Sequence, residues 1–229
     1  MHSLPNSGLE GAQVAARAAY DGQLLAGGQS SSESERSAVH VIRKLLSTSD
    51  IAMCHAAGAA SVADQVVWPR RRMGKNDTAH DVSYTDAHVA LFLHCDRYLL
   101  KSWPALYEIL VGGMQSQSGA CAVVGPPLNV RCIELHTYDV GGGLFDPGHR
   151  DCGSALTMSV LLSTPKDCDG GSFVTWCEGQ PVVHELECGD AVLFRSEKCH
   201  NISRVTRGTR HSLVVELWEA ATNVMNRYG

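Results

Sequence analysis

The sequence predicts a mainly β fold, a β-barrel or jelly roll with helices packed on its N-terminal side. Many short segments of strand-like composition follow one another closely in the C-terminal half of this 229-residue chain. Turn residues such as Gly170-Gly171 and Gly189-Asp190 separate them. Apolar residues at helix-like intervals are instead found in the N-terminal half. This order of elements favours one β domain supported by two helical regions.

Seven segments are predicted to be strands. The first is Val39–Ile42, and the β-rich half begins with Asn129–Tyr138, in which side-chain character alternates with the period of a strand. The five others are 155–162, 173–176, 182–186, 191–194 and 212–218.

Two helical regions are predicted between the first and second of these strands. The polar run 47–50 resembles a helix N-cap and opens onto a helix over 51–57. A second helical region is predicted from Asp96 to about Met114, where large apolar residues recur at helix-like intervals. The basic segment around Arg70-Arg71-Arg72, within 69–80, is predicted to be an exposed loop.

The domain prediction is a flexible N-terminal segment, residues 1–37, followed by a single domain over 38–229. Residues 27–35 are rich in Gly, Ser and Glu, which is typical of flexible polar chain. A short helix, a disordered tail and an organelle-targeting peptide all remain open for the N-terminal segment.

Composition excludes several classes of function. The net charge of −5 and pI near 6.1 give no overall electrostatic reason to expect nucleic acid or an anionic membrane as partner. No apolar run is as long as a membrane span. The nine cysteines are scattered without a Cys-x-x-Cys pair, which argues against zinc-ribbon and thioredoxin-like sites. Reduced thiols in an intracellular protein, cytoplasmic or nuclear, are the simplest account.

The sequence contains a candidate metal site. His149 and Asp151 flank Arg150, and alternate residues of an extended segment point to the same side, so the two side chains can share one metal. His200, which follows a predicted strand, is the candidate third ligand. Two imidazoles and one carboxylate make the facial triad of non-haem Fe(II) oxygenases. His-x-Asp alone is weak evidence, and the ordered appearance of His200 and then of Arg210 strengthens it.

Arg210 stands ten residues after His200, on a strand that enters the predicted barrel. A guanidinium there could bind the distal carboxylate of a dicarboxylate through two parallel hydrogen bonds. The alternative is a solvated basic cluster with Arg204 and Arg207.

With these motifs, the segment from about 130 to 219 resembles the catalytic core of the 2-oxoglutarate- and Fe(II)-dependent dioxygenases, in particular their prolyl 4-hydroxylase-like branch. The matching pieces extend from Tyr138, before the glycine-rich bend, to the segment 208–213 around Arg210. Between them lie His149-x-Asp151, Gly170-Gly171, the segment 189–194, and His200.

The resemblance implies a double-stranded β-helix, or jelly roll, with N-terminal helices packed on the major sheet. It implies that His149, Asp151 and His200 bind Fe(II), and that Arg210 and Tyr138 contact 2-oxoglutarate. The implied activity is hydroxylation of a C–H bond in a protein side chain or a small molecule. The co-substrates would be 2-oxoglutarate and O₂, and 2-oxoglutarate would be converted to succinate and CO₂. Ascorbate would stimulate the reaction.

The sequence departs from this branch in three places. Many prolyl hydroxylases have lysine at the position of Arg210, but arginine preserves the charge. Ser172 and Phe173 stand where relatives often have an acidic residue and a threonine, and the bend between Tyr138 and His149 is longer than in several relatives. The last two departures put a prolyl substrate in doubt, whereas the chemistry is unaffected.

Three other functions remain open at this stage. A nucleic-acid demethylase with the same chemistry would use the basic segment at Arg70-Arg71-Arg72. A non-catalytic jelly-roll module would keep the shape without the reaction. A cupin-type metalloprotein would not use 2-oxoglutarate and could add His136 or His184 as a ligand. The sequence predicts neither the substrate nor the oligomeric state.

Overall fold

The computed structural model describes residues 37–63, 70–71, 87–121, 127–145 and 148–225. All but the last residue of the predicted N-terminal segment 1–37 lies outside this part of the chain, so the division into a segment and a domain stays a prediction. None of the helices in the described ranges has the length and apolar character that crossing a membrane requires.

Helix α1, Thr48–Ala63, begins at the N-cap that the sequence predicts. The Ser47 hydroxyl accepts a hydrogen bond from the Asp50 backbone N–H at 3.2 Å, and the Asp50 carboxylate accepts one from the Ser47 N–H at 2.8 Å. This reciprocal capping satisfies two backbone donors that the helix itself leaves without partners.

The second helical region is confirmed but is divided into short pieces. Pro104 disfavours a helical conformation for the residue before it, and Trp103 accordingly has φ −135° and ψ 54°. The pieces are a 3₁₀ turn Cys95–Arg97, α2 Tyr98–Ser102, α3 Pro104–Tyr107, a π turn Glu108–Gly112, α4 Gly113–Gln117 and a 3₁₀ turn Ser118–Cys121.

Twelve strands lie in the described ranges. They are β1 Val39–Ile42, β2 Arg70–Arg71, β3 His88–Phe92, β4 Asn129–Tyr138, β5 Leu156–Leu161, β6 Cys168–Gly170, β7 Phe173–Cys177, β8 Gln180–His184, β9 Ala191–Arg195, β10 His200–Ile202, β11 Val205–Gly208 and β12 Arg210–Trp218.

All seven predicted strands are present, although β8 begins two residues before the predicted segment 182–186. The prediction of a loop at Arg70-Arg71-Arg72 is wrong for the first two residues, which form β2. They pair with Ala90 and Val89 of β3, a strand that the sequence analysis missed, so long-range pairing overrides local composition here. Arg72 lies outside the described residues.

Seven strands form the major sheet in the order β1-β9-β5-β12-β4-β3-β2, and β10-β7-β8 form a second, smaller sheet. Leu144 adds an isolated antiparallel bridge to Ile202 at the β10 edge of the smaller sheet. All these strand pairs are antiparallel. The predicted jelly roll is confirmed, with β6 and β11 as a separate two-stranded ribbon.

The major sheet is apolar on the face that meets the helices. Leu213, Val215 and Leu217 of β12 belong to a buried cluster that includes Leu99 and Leu106 from the helical region. A second cluster joins the two sheets inside the jelly roll, with members from β4, β7, β9 and β10. In β12 the helix-facing residues Leu213, Val215 and Leu217 are apolar, whereas Ser212 and Glu216 line the cavity on the other face, which explains why its residues alternate in character.

His184 gives the fold a pH-dependent stability. Burial lowers its pKa from 6.5 to about 4, with a smaller contribution from Lys198, and its Nε2 lies 2.8 Å from the Thr175 hydroxyl. Because the unfolded chain binds this proton at higher pH, the free energy of unfolding falls as the pH drops from about 6.5 to 4.

We expect His184→Gln to remove on the order of 2 kcal/mol of this pH dependence, measured by urea unfolding of the metal-free protein between pH 7 and pH 4. Lys101→Gln, at an exposed position of α2 whose side chain does not titrate in this pH range, is the control. Equal pH dependence in the wild type and in His184→Gln would contradict the assignment.

Candidate metal centre

The structure brings His149, Asp151 and His200 together. His149 and Asp151 lie in the irregular segment before β5, and His200 is the first residue of β10. One Asp151 oxygen lies 3.3 Å from His149 Nε2, and the other lies 3.6 Å from His200 Nε2. One potential ligand atom from each of the three residues lies within 4.8 Å of the others. The three side chains therefore converge on one point.

Backbone hydrogen bonds fix the two segments that carry these side chains. The His200 N–H donates to the His149 carbonyl at 3.1 Å, and the Asp151 N–H donates to the Ser196 carbonyl at 3.0 Å. Ser196 directly follows β9, so the connection between β9 and β10 is attached to the His149–Asp151 segment at two points.

A hydrogen bond sets the orientation of the His200 ring. Its Nδ1 lies 3.0 Å from the Lys198 carbonyl oxygen, which can only accept a hydrogen bond. The proton therefore resides on Nδ1, and the Nε2 lone pair is available as a ligand. The Phe194 and Phe173 rings pack around the imidazole, with centroids 4.9 and 5.7 Å away. These apolar rings limit the access of water to this side of the site.

Two hydroxyl groups orient the Asp151 carboxylate. The Thr157 hydroxyl donates to one Asp151 oxygen at 2.8 Å, and it also lies 2.8 Å from the Ser196 hydroxyl. Because Thr157 has a single hydroxyl proton, Ser196 is the donor in the second bond. A hydrogen-bonded carboxylate of this kind holds its position for a metal.

The chemistry of these donors fits Fe(II). Two neutral imidazole nitrogens and one carboxylate oxygen form a facial set that leaves further positions for other ligands. Asp151 and His200 are buried, and His149 is half-buried at the edge of the site. That the three bind iron remains a prediction.

A second group of potential ligand atoms, from Cys132, Glu134 and Glu216, lies on neighbouring strands β4 and β12. Arg131 Nη1 lies 3.3 Å from Glu216, and this positive charge opposes a metal cation there. Neither His136 nor His184 belongs to the triad's ligand group within the described residues, so the extra ligand considered for a cupin-type site is not found.

Arg210, the first residue of β12, is buried with 1% of its surface exposed. Its Nη1 donates to the Ser212 hydroxyl at 2.8 Å, and its guanidinium carbon lies 5.5 Å from the centre of the Tyr138 ring. The alternative of a solvated basic cluster is therefore wrong for Arg210. Arg207 does fit it, because it is exposed and pairs with Asp169.

One cavity joins the triad to the neighbourhood of Arg210. Its empty volume, including the open mouth, is about 460 Å³. Its walls include all three triad residues together with Tyr138 and Ser212, both of which contact Arg210. Four of the five residues singled out by the sequence therefore line this cavity, and the fifth, Arg210, contacts two of its lining residues.

Sequence analysis missed the polar residues that support this site. Thr157 and Ser196 were not singled out, nor were Glu134 and Glu216. A signal was present in β4, where Glu134 and His136 alternate with the apolar Ile133 and Leu135 in a strand that is buried on both faces. Regularly spaced polar residues in such a strand indicate an internal polar site.

Comparison with known proteins agrees with the fold. No family model matches the chain. A PKHD-type hydroxylase from Hyphomonas neptunium is 40% identical over 65 residues, which are 28% of this chain and 27% of that protein. The match thus spans about a quarter of the relative's length.

Two solved structures share the fold over most of the chain. A 2OG-Fe(II) oxygenase family oxidoreductase from Burkholderia pseudomallei has a TM-score of 0.58 and 16% identity, covering 82% of this chain and 88% of the other. A prolyl hydroxylase from Trichoplax adhaerens was solved with a hypoxia inducible factor peptide fragment. It has a TM-score of 0.57 and 14% identity, and the match covers 95% of this chain and 94% of the other.

The chain therefore has the jelly-roll fold of the 2-oxoglutarate- and Fe(II)-dependent dioxygenases. The resemblance that the motifs predict is confirmed to this extent: the sequence matches are PKHD-type hydroxylases, and the structures that share the fold include a prolyl hydroxylase.

Removing the Thr157 hydroxyl should weaken metal binding. We expect Thr157→Val to lower the affinity for Fe(II) or Co(II) by about 10-fold or more, because Asp151 loses the bond that orients it. Thr157→Ser retains the hydroxyl and should restore most of the affinity. Anaerobic metal titration measures both, and equal affinities for the valine and serine variants would contradict this role.

Gly171 sets the position of Arg210. Its φ is +67°, and an added Cβ would meet the Arg210 side chain. Gly179 has a similar φ of +72°, but the space around its Cβ position is empty. We expect Gly171→Ala to weaken 2-oxoglutarate binding by about 10-fold or more, corresponding to at least 1.4 kcal/mol, measured by calorimetry on the metal-loaded protein. Gly179→Ala suffers the same backbone strain and should bind normally; an equal loss in both would exclude a specific effect on Arg210.

Proposed function

We propose that the protein is an Fe(II)- and 2-oxoglutarate-dependent dioxygenase that hydroxylates a C–H bond. The single observation that carries the proposal is the shared cavity, whose walls include the His149–Asp151–His200 group together with Tyr138 and Ser212, which contact Arg210. This reaction requires a site for the metal and an anchor for the distal carboxylate of 2-oxoglutarate. The ligand triad and Arg210 match these two requirements at one cavity.

In this proposal each residue has a defined task. His149, Asp151 and His200 hold the metal, and the two imidazoles must be neutral to do so, so acid releases it. The Arg210 guanidinium pairs with the distal carboxylate of 2-oxoglutarate, and Tyr138 forms the adjoining wall. Iron, when bound with 2-oxoglutarate and O₂, supplies the oxidative decarboxylation to succinate and CO₂ and the insertion of one oxygen atom into the substrate C–H bond.

The immediate surroundings favour chemistry that is protected from bulk water. Phe173 and Phe194 cover the His200 side of the cavity, and Leu144 and Ile202 extend the apolar lining. Charged groups that are held in such surroundings interact more strongly than they would in water.

The substrate class is proposed from the relatives. The Trichoplax adhaerens prolyl hydroxylase was solved with a peptide, which favours a protein side chain. A small-molecule substrate is the alternative. Ascorbate is proposed to stimulate turnover by keeping the iron reduced.

The test is succinate formation by the anaerobically Fe(II)-loaded protein when O₂ and 2-oxoglutarate are admitted. We expect slow turnover without a substrate, reduced at least about 100-fold in Asp151→Ala and Arg210→Ala, because metal binding and co-substrate binding are lost respectively.

Asp169→Ala and Arg207→Ala are the matched controls, since these residues form an exposed pair away from the cavity. Both should resemble the wild type. Iron binding without any binding of 2-oxoglutarate would contradict the proposal and favour the cupin-type alternative.

A further inference from the structure

Three buried side chains form a hydrogen-bonded line along the wall of the same cavity. His136 Nε2 lies 3.2 Å from a Glu134 oxygen, and His136 Nδ1 lies 2.8 Å from His88 Nε2. The exposed fractions are 1% for Glu134, 8% for His136 and 5% for His88. The residues belong to the adjacent strands β3 and β4, and both histidines line the cavity.

The chemistry of the line determines where protons reside in its neutral form. An ionised Glu134 can only accept, so His136 carries its proton on Nε2, and its Nδ1 accepts from His88 Nε2–H. A further proton enters at His88 Nδ1. A shift from His88 Nε2 to His136 Nδ1 then moves the positive charge next to Glu134, and both hydrogen bonds are kept. The line can therefore hold one extra proton without rearrangement.

The line lies beside the proposed co-substrate anchor. His88 and Arg210 are both strand partners of Tyr138, and His136 is the partner of Ser212, which accepts the Arg210 hydrogen bond. The His88 ring stacks on Tyr138 with centroids 4.1 Å apart. An anion held by Arg210 is therefore close to both histidines.

We infer that the Glu134–His136–His88 line takes up one proton when 2-oxoglutarate binds, and so adds a positive charge to its binding site. This inference rests on the proposed function. The physical reason is the buried Glu134 carboxylate: a second anion brought near it is repelled, and an imidazolium between the two relieves that repulsion. The line is thus a binding element for the co-substrate, in addition to Arg210.

Other charged groups that face this region do not provide the proton site. On β12, Arg210 stays charged at all relevant pH values, and Glu216 is paired with Arg131. Across the cavity, a bound metal keeps His149 and His200 deprotonated.

Two remaining groups, one on each wall, are equally unsuited. Asp151 is a carboxylate that the metal would hold ionised. The Tyr138 hydroxyl is already protonated at neutral pH. The His88–His136 pair is left as the acceptor among the described cavity residues.

The experiment is calorimetric titration of 2-oxoglutarate into the anaerobic, Fe(II)-loaded protein at pH 7.5, in phosphate and in Tris buffer. Proton uptake makes the observed heat differ between the buffers, because their ionisation heats differ. We expect uptake approaching one proton, and an affinity that weakens by up to about tenfold for each pH unit above neutrality.

Glu134→Gln and His136→Asn should bring the uptake close to zero, whereas the exposed His55→Gln should leave it at the wild-type value. Iron titration and thermal unfolding of each variant show whether it is folded. If His136→Asn fails to fold, the proton uptake of the wild type and of Glu134→Gln still tests the inference.

Equal heats in the two buffers for the wild type, with binding intact, would overturn the inference and leave the proposed function standing. Undiminished uptake in both variants would also overturn it. Absence of any 2-oxoglutarate binding would instead overturn the proposed function itself, and the inference with it.

Discussion

Burial of both faces of β12 is the constraint on which the rest of the structure depends. This strand pairs with β4 on one side and β5 on the other, so its side chains alternate between the helical layer and the interior of the jelly roll. Leu213, Val215 and Leu217 face the helices, and Ser212 and Glu216 face inward. Buried polar groups need hydrogen-bond partners, and both have them: Ser212 accepts from Arg210, and Glu216 accepts from Ser154 and Arg131.

The sequence predicts those parts of the fold and site that depend on local pattern. The alternation of residue character along the chain predicts β4 and β12, and the polar N-cap predicts the start of α1. The His149-x-Asp151 spacing defines two members of the triad within one segment. The shorter strands β3 and β10 carry no comparable signal, since three to five residues are ordered here by pairing with distant neighbours. For the same reason, neither the support of Asp151 by Thr157 nor the contact of His136 with His88 follows from spacing along the chain.

The candidate metal centre lies where the two sheets are joined. His200 begins β10 of the smaller sheet, and Asp151 is held through Ser196, which follows β9 of the major sheet. A metal bound by both would add a link between the sheets to the apolar cluster that already joins them. Since a ligand that binds only the folded chain stabilises it, metal loading and the closure of the jelly roll are expected to be coupled.

The electrostatic design of the cavity combines a fixed charge with an adjustable one. Arg210 remains positive whether or not an anion is present. In the empty site, the free-energy cost of burying this charge is reduced by the hydrogen bond to Ser212 and by the Tyr138 ring. A second permanent cation beside it would raise that cost, since like charges in a buried site repel strongly. The hydrogen-bonded His88–His136 pair beside Glu134 adds no permanent cation to the cavity, and under the proposed proton uptake its positive charge would be added only together with the anion. The proposed dicarboxylate binding and a stable empty site would thus be compatible in the same cavity.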